Sequence, residues 1–220
     1  MVKFKNLSIK IESFINKDYY NRKLMKKAEQ VYREMLYQSM EKNNQVLKQS
    51  ELSKKLGLSL STVNLAVKKL ERMSAVRIGK MNLKVIDPKK ILYLWASMRN
   101  LEKDIIYQTR AEMPVREIEK NLPDATYAAY TAYKLRFKDT PADYSEVYVY
   151  ADEQELEEIR KRFPQSQKSP NLYILKKDQN MKLYHKTGTI AQIFADLWNI
   201  KEWYAREFLK ALEEKISLEK

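Results

Sequence analysis

The chain has 220 residues, enough to bury a sizeable core in one or two domains. It has no cysteine, which excludes a disulfide frame, a thiolate metal site and a cysteine nucleophile. Its three glycines, Gly57, Gly79 and Gly188, are too few and too scattered for a phosphate-cradling loop or a dinucleotide fingerprint.

The net charge of +13 is segregated. Residues 1–100 carry 22 Lys and Arg against 8 Asp and Glu, whereas residues 101–220 carry 20 against 21. A half that basic repels itself unless it meets a polyanion, with nucleic acid the first expectation and an anionic membrane surface the second. The opening "MVKFKNLSIK" has no leader-like apolar run, and no apolar stretch approaches the roughly 20 residues of a membrane span. The expectation is a soluble, cytoplasmic protein without a membrane partner. Scarce glycine, abundant Lys and Glu and the missing cysteine lean toward a thermophilic source.

In chain order, residues 7–20 set Ile11, Phe14 and Ile15 at helical spacing. Residues 22–41 form a clearer helix, with Leu24, Ala28, Val31, Tyr32, Met35 and Leu36 on one face. "NNQ" at 43–45 ends it. Ser50 is placed to cap a short helix through Leu56, Gly57 suits the turn, and Ser59 caps a second helix to about Met73. Leu52 and Leu56 on the first helix meet Val63, Val67 and Leu70 on the second, the pattern of a helix-turn-helix. "AVRIGKMNLKVI", 75–86, then alternates as a hairpin, with Gly79-Lys80 at the centre of a two-residue type II′ turn. A helix-turn-helix followed by a basic hairpin reads as a winged helix. Asp87 and Pro88 open another helix, whose buried side is Ile91, Leu92, Leu94 and Trp95. A domain boundary is placed near residue 100.

In the second half "DIIYQTRA" reads as a strand, and Pro114 opens a helix to about Asn121. Asp124 is placed to cap a helix through Phe137. "EVYVYA", 146–151, is a strand, and Asp152 with Glu155 forms a capping pair for a helix at 153–162. "NLYIL", 171–175, and "KLYHK", 182–186, are read as strands, 164–170 as a loop, and two helices at 189–198 and 201–215 close the chain. The fold class expected is α+β: a winged helix-turn-helix within 1–100, then an α+β unit with a smaller sheet at 101–220.

The second helix of such a pair enters the major groove. Its outward set is Leu60, Ser61, Thr62, Asn64, Leu65 and Lys68. Asn64 can pair bidentately with adenine, Ser61 and Thr62 can meet bases or phosphates, and Leu60 and Leu65 can touch thymine methyls. Lys54, Lys55, Lys68 and Lys69 are placed for phosphates, as are Arg77, Lys80 and Lys84 on the hairpin, which can also reach a minor groove. The competing readings are a solvated helix face and an edge hairpin guarded by charge. Tyr127, Tyr130 and Tyr133 could stack on unpaired bases, but the Ala125, Ala128, Ala129 and Ala132 stripe beside them favours core or dimer packing.

Chemistry has little to build on. His185 stands alone, "ADEQELEE" at 151–158 reads as favourable N-terminal charge on a helix rather than a metal site, and Lys176-Lys177 lack the Asp…Glu-x-Lys of a nuclease. No enzymatic activity, cofactor or metal is expected. The rival is a nucleic-acid-processing enzyme anchored by the winged helix, with Asp152 and Glu155 as its metal-binding carboxylates.

"QSELSKKLGLSLSTVNLAVKKLE" and the hairpin after it resemble winged-helix regulators of the MarR-like kind. The stretch departs from them at Leu60 and Leu65, where such proteins often carry polar readers, and in "MSAVRI", which lacks the usual glycine before the wing. "DATYAAYTAYKLRF", "EVYVYADEQELEEIRKRF" and "TIAQIFADLWNIKEWYAREFLKAL", with the pair Asp196-Leu197, resemble the C-terminal domain of AbiEi-type antitoxins of type IV toxin–antitoxin systems. The resemblance implies a winged-helix repressor of its own operon that can counter a nucleotidyltransferase toxin encoded next door. The partners expected are double-stranded DNA, a second copy of the chain in a homodimer and, through 101–220, that toxin.

Overall fold

The computed structural model describes residues 26–218. The 7–20 segment, Leu24 and the start of the 22–41 helix lie outside the described residues. Helix α1 (26–36) widens into a π-helical turn, Tyr37–Glu41, and buries Val31, Tyr32, Met35 and Leu36 completely. Strand β1 (Val46–Leu47), α2 (Gln49–Leu56), α3 (Leu60–Arg72), β2 (Val76–Ile78), β3 (Leu83–Val85) and α4 (Pro88–Met98) follow. Gly57 closes α2 at φ 62°, a left-handed conformation that costs a glycine least. Ser59 Oγ accepts the Thr62 N–H at 3.2 Å and fixes where α3 starts. That cap is worth about 1 kcal/mol. Complete burial of Val63, Val67 and Leu70, at roughly 1.5–3 kcal/mol each, decides that the helix forms at all. Asp87 caps α4 through the Lys90 N–H.

Two expectations in this half are corrected. Ser50 is not a cap: α2 begins at Gln49 behind Lys48, which makes no side-chain cap. The hairpin turn is centred one residue later than expected. Val76 pairs with Val85, Arg77 with Lys84 and Ile78 with Leu83, and the Gly79 N–H donates to Asn82 O at 2.7 Å, so Lys80 and Met81 form the tip. Gly79 does not have positive φ, which rules out type II′. Its service is closeness, because a Cβ there would lie 3.1 Å from Asn82 Oδ1. β1 was not expected; it adds a third strand in the order β1-β3-β2.

The second half contains a 3₁₀ turn (Glu102–Asp104), β4 (Ile105–Thr109), α5 (Val115–Asn121), β5 (Thr126–Tyr127), α6 (Ala129–Phe137), β6 (Val147–Ala151), α7 (Glu153–Arg162), β7 (Leu172–Lys176), a second 3₁₀ turn (Met181–Leu183), α8 (Ile190–Trp198) and α9 (Trp203–Leu218). The sheet order is β4-β7-β6-β5, with β6 and β7 parallel and both flanks antiparallel. Alternation along β6 explains the layers. Val147, Val149 and Ala151 pack with α5 and α7, while Tyr148 and Tyr150 face the larger cluster containing α6, α8 and α9. The fold is therefore α+β, a winged helix-turn-helix followed by a mixed four-stranded sheet. That larger cluster also holds Leu56, Leu70, Leu83 and Trp95, so the two halves share one core across residue 100.

Two further expectations fail. Asp124 caps no helix: it pairs with Lys186, and Thr126 and Tyr127 pair with Tyr150 and Val149 before the chain turns into α6 at Ala129, φ 46°. "KLYHK" is not a strand but the end of the second 3₁₀ turn and the bend after it. The tyrosine ladder belongs to the core. Tyr130 and Tyr133 are fully buried, with Phe208 of α9 at 5.0 and 5.2 Å between ring centroids. No helix among the described residues is long and apolar enough to cross a membrane.

Candidate nucleic-acid interface

The amphipathic period of α3 buries Val63, Ala66, Val67 and Leu70 and turns the opposite face outward. Leu60 and Leu65 are 54% and 57% exposed, and Ser61, Lys68 and Lys69 are exposed with them. Asn64 is half-buried at the edge of this face, and its Nδ2 donates to Gln49 Oε1 at 3.1 Å. Gln49, the first residue of α2, thus orients the Asn64 side-chain amide. No sequence motif marks it, since its role depends on how α2 crosses α3. Thr62 is a correction: it is 8% exposed, its hydroxyl is 2.8 Å from Ser59 Oγ, and it faces the cap rather than outward.

The wing approaches the same place. Gln49, Leu60, Ser61, Asn64, Lys80 and Met81 line a groove of about 510 Å³ between the start of α3 and the hairpin tip. Met81 is 80% exposed at that tip. On the outer face of the wing, Arg77 and Lys84 stand directly opposite one another, with Val46 on the other side of Lys84. Like charges in register across a ladder are destabilising, and a polyanion laid against that face offsets the cost. Lys84→Ala is accordingly expected to stabilise the free protein by on the order of 0.5 kcal/mol while weakening duplex binding. Urea unfolding and a binding titration on the same preparation check both signs.

The remaining cations divide. Lys54, Lys68, Arg77, Lys80 and Lys84 form no ion pair among the described residues. Lys55 is turned to α1, where Glu34, 1% exposed, holds its ammonium at 2.7 Å. Lys69 leans on α4, with Nζ 2.9 Å from Met98 Sδ. Neither spacing nor composition reveals these two commitments, because the partners lie 21 and 29 residues away.

The acidic stretch at 151–158 is tied to local structure. Asp152 accepts the Gln154 and Glu155 N–H groups, and Glu155 returns a bond to the Asp152 N–H at 2.7 Å while accepting Lys177 Nζ at 2.6 Å. No cluster of three or more His, Asp or Glu among the described residues is arranged to hold a metal ion.

A family model described as winged helix-turn-helix DNA-binding matches residues 34–77, from within α1 into the first wing strand. The N-terminal half thus carries a winged helix-turn-helix DNA-binding domain. No curated protein and no solved structure matches the chain.

Proposed function

We propose that the protein is a sequence-specific duplex DNA-binding transcriptional regulator, a repressor, working as a homodimer and without a catalytic step of its own. The observation that carries this reading is the shared groove. The exposed start of α3 and the cationic wing converge on it, so one helix can enter a major groove while the hairpin follows the flanking backbone. A two-fold dimer sets two such heads about one helical turn apart on DNA.

The test is fluorescence anisotropy with a duplex from upstream of the protein's own gene, set against a scrambled duplex across a salt series. The own duplex is expected to bind about a thousandfold tighter. Asn64→Ala is expected to remove about 1–3 kcal/mol of that preference. Equal binding of both duplexes, indifferent to residue 64, sinks sequence-specific regulation and leaves an electrostatic anchor.

A second reading makes the chain an antitoxin whose C-terminal half counters a nucleotidyltransferase toxin, with DNA binding as autoregulation. The resemblance of three C-terminal stretches to AbiEi-type antitoxins supports it, and Asp196 of the Asp-Leu pair sits fully buried at the join of the halves. A neighbouring nucleotidyltransferase gene whose toxicity this chain relieves favours this reading; a full chain that relieves no such toxicity counts against it.

A further inference from the structure

The C-terminal ends of the parallel strands β6 and β7 point at the DNA-binding half. Ligands of open sheets with parallel strands bind outside such carboxyl ends. Here the place is a cavity of about 160 Å³ between α1, α4 and the chain leaving β7, lined by Arg33, Trp95, Arg99, Tyr150, Lys176 and Asp178 among others. At ~30 Å³ per water it has room for roughly five waters, or for one tetrahedral oxyanion.

Its walls are charged and held still. Arg33, 3% exposed, makes a bidentate pair with Asp178 at 2.7 and 2.8 Å and lies 5.1 Å from the centroid of the Tyr184 ring. Arg99 donates to Glu29 at 3.0 Å and to the Tyr150 hydroxyl at 2.6 Å, and the Trp95 indole N–H donates to the same Glu29 at 3.0 Å. Two groups in this lining are uncommitted, and both are donors. Arg33 Nε is buried without a hydrogen-bond partner among the described residues, and Lys176, exposed at the rim, forms no ion pair among them. These surplus donors, one on a fixed arginine and one on a free rim lysine, suit an anionic oxygen ligand, which would sit beside the already paired carboxylates of Glu29, Asp104 and Asp178.

The wall is also wired to the reading head. Asp178 opens a short loop in which Asn180 Nδ2 donates to Leu56 O at 3.0 Å and to Gln30 Oε1 at 2.8 Å. Leu56 is the last residue of α2, and its carbonyl is one of the orphans at a helix end. The loop that grips Arg33 therefore also holds the turn that sets α3 against α2.

We propose that this cavity binds a small oxyanion-bearing ligand, a phosphate or a carboxylate, and that its occupancy changes the affinity of the winged helix for DNA. The site stands on the cavity alone; the coupling rests on the DNA-binding reading above.

Calorimetric titration of the full chain with inorganic phosphate and, separately, succinate, at matched ionic strength, decides the first part. One probe is expected to bind at a single site with Kd at or below about 1 mM. Lys176→Ala, on the exposed rim and outside the core, is expected to weaken it about tenfold, and Lys80→Ala on the wing to leave it unchanged. No saturable binding of either probe, or equal loss in the two variants, overturns the site. The second part is reciprocal by linkage. The bound probe is expected to shift affinity for the preferred duplex at least about fivefold, and the duplex to shift the probe's affinity by the same factor. A site that binds the probe while DNA affinity stays fixed overturns the coupling. A chain that binds the probe but prefers no duplex retains the site and removes the regulator reading instead.

Discussion

Asp196→Ala is expected to cost about 3–5 kcal/mol of unfolding free energy, a large share of the ~5–15 kcal/mol that a domain of this kind has. Asp196 lies on α8 with no exposed surface. Its carboxylate accepts Arg99 Nε at 2.8 Å, the Tyr150 hydroxyl at 2.7 and 2.8 Å, and Gln192 Nε2 at 2.9 Å. Burial opposes the charge on Arg99, but Tyr150, Asp196, Glu29 and Asp104 around it outweigh that and hold it charged well beyond its ordinary range. Burial pushes the Tyr150 phenol far up; Arg99 opposes this, Asp196 and Asp104 add to it, and the phenol remains a donor. Alanine at 196 leaves a buried cation without the acceptor for its Nε and strands the Tyr150 O–H, while Gln192 Nε2 keeps only its bond to the Tyr150 oxygen at 2.9 Å. A surface ion pair removed in the same way costs ~1 kcal/mol or less, so the size of the loss separates the two descriptions. Urea unfolding at 25 °C measures it. The double change Arg99→Met with Asp196→Leu is expected to cost less than the sum of its single changes, because it removes a charge together with its main acceptor. A loss below about 1 kcal/mol for Asp196→Ala sinks this account of the join between the halves.

What the sequence displays and what it hides divide along the range of the interactions. Gly57, the Ser59 cap, the 3.6-residue period of α3 and the Asp152–Glu155 box act within a few residues, and all four are legible as written. β6 is legible from its run of Val, Tyr and Ala, since a strand buried on both faces is apolar throughout. β1 and β5 are two residues each, too short for any period, and exist because β3 and β6 supply backbone partners. "KLYHK" carries a strand-like alternation, but its one ladder-like bond among the described residues runs from the Tyr127 N–H to the Lys186 carbonyl at 2.7 Å, and the 3₁₀ turn at Met181–Leu183 takes up its start. The DNA-facing surface follows the same rule. The outward face of α3 can be drawn from a helical wheel, whereas Thr62 is lost to its own cap and Lys55 to a glutamate one helix upstream. Arg33 and Asp178 are separated by 145 positions, so no local pattern could bring the cavity at the join into view.

The wing offers the sharpest test of how the basic half is used. Arg77, Lys80 and Lys84 form no ion pair among the described residues, and two of them face each other across β2 and β3. If all three lie on phosphates, replacing them together with alanine removes three counterion-releasing contacts. The slope of log affinity against log salt then becomes shallower by three times about 0.9, or ~2.7. Affinity at roughly 0.15 M salt is expected to fall about a hundredfold. Phosphate contacts position a protein without reading sequence, so the preferred and scrambled duplexes are expected to lose affinity alike and the ratio between them to hold within about threefold. The fold is not put at risk, because the inward residues Val76, Leu83 and Val85 are untouched and the variant removes a like-charge pair. An unchanged slope places the wing away from the backbone and moves the anionic partner to another face. A slope that falls while the ratio collapses means instead that a wing side chain reads the minor groove, where groove width and A·T content carry the sequence signal.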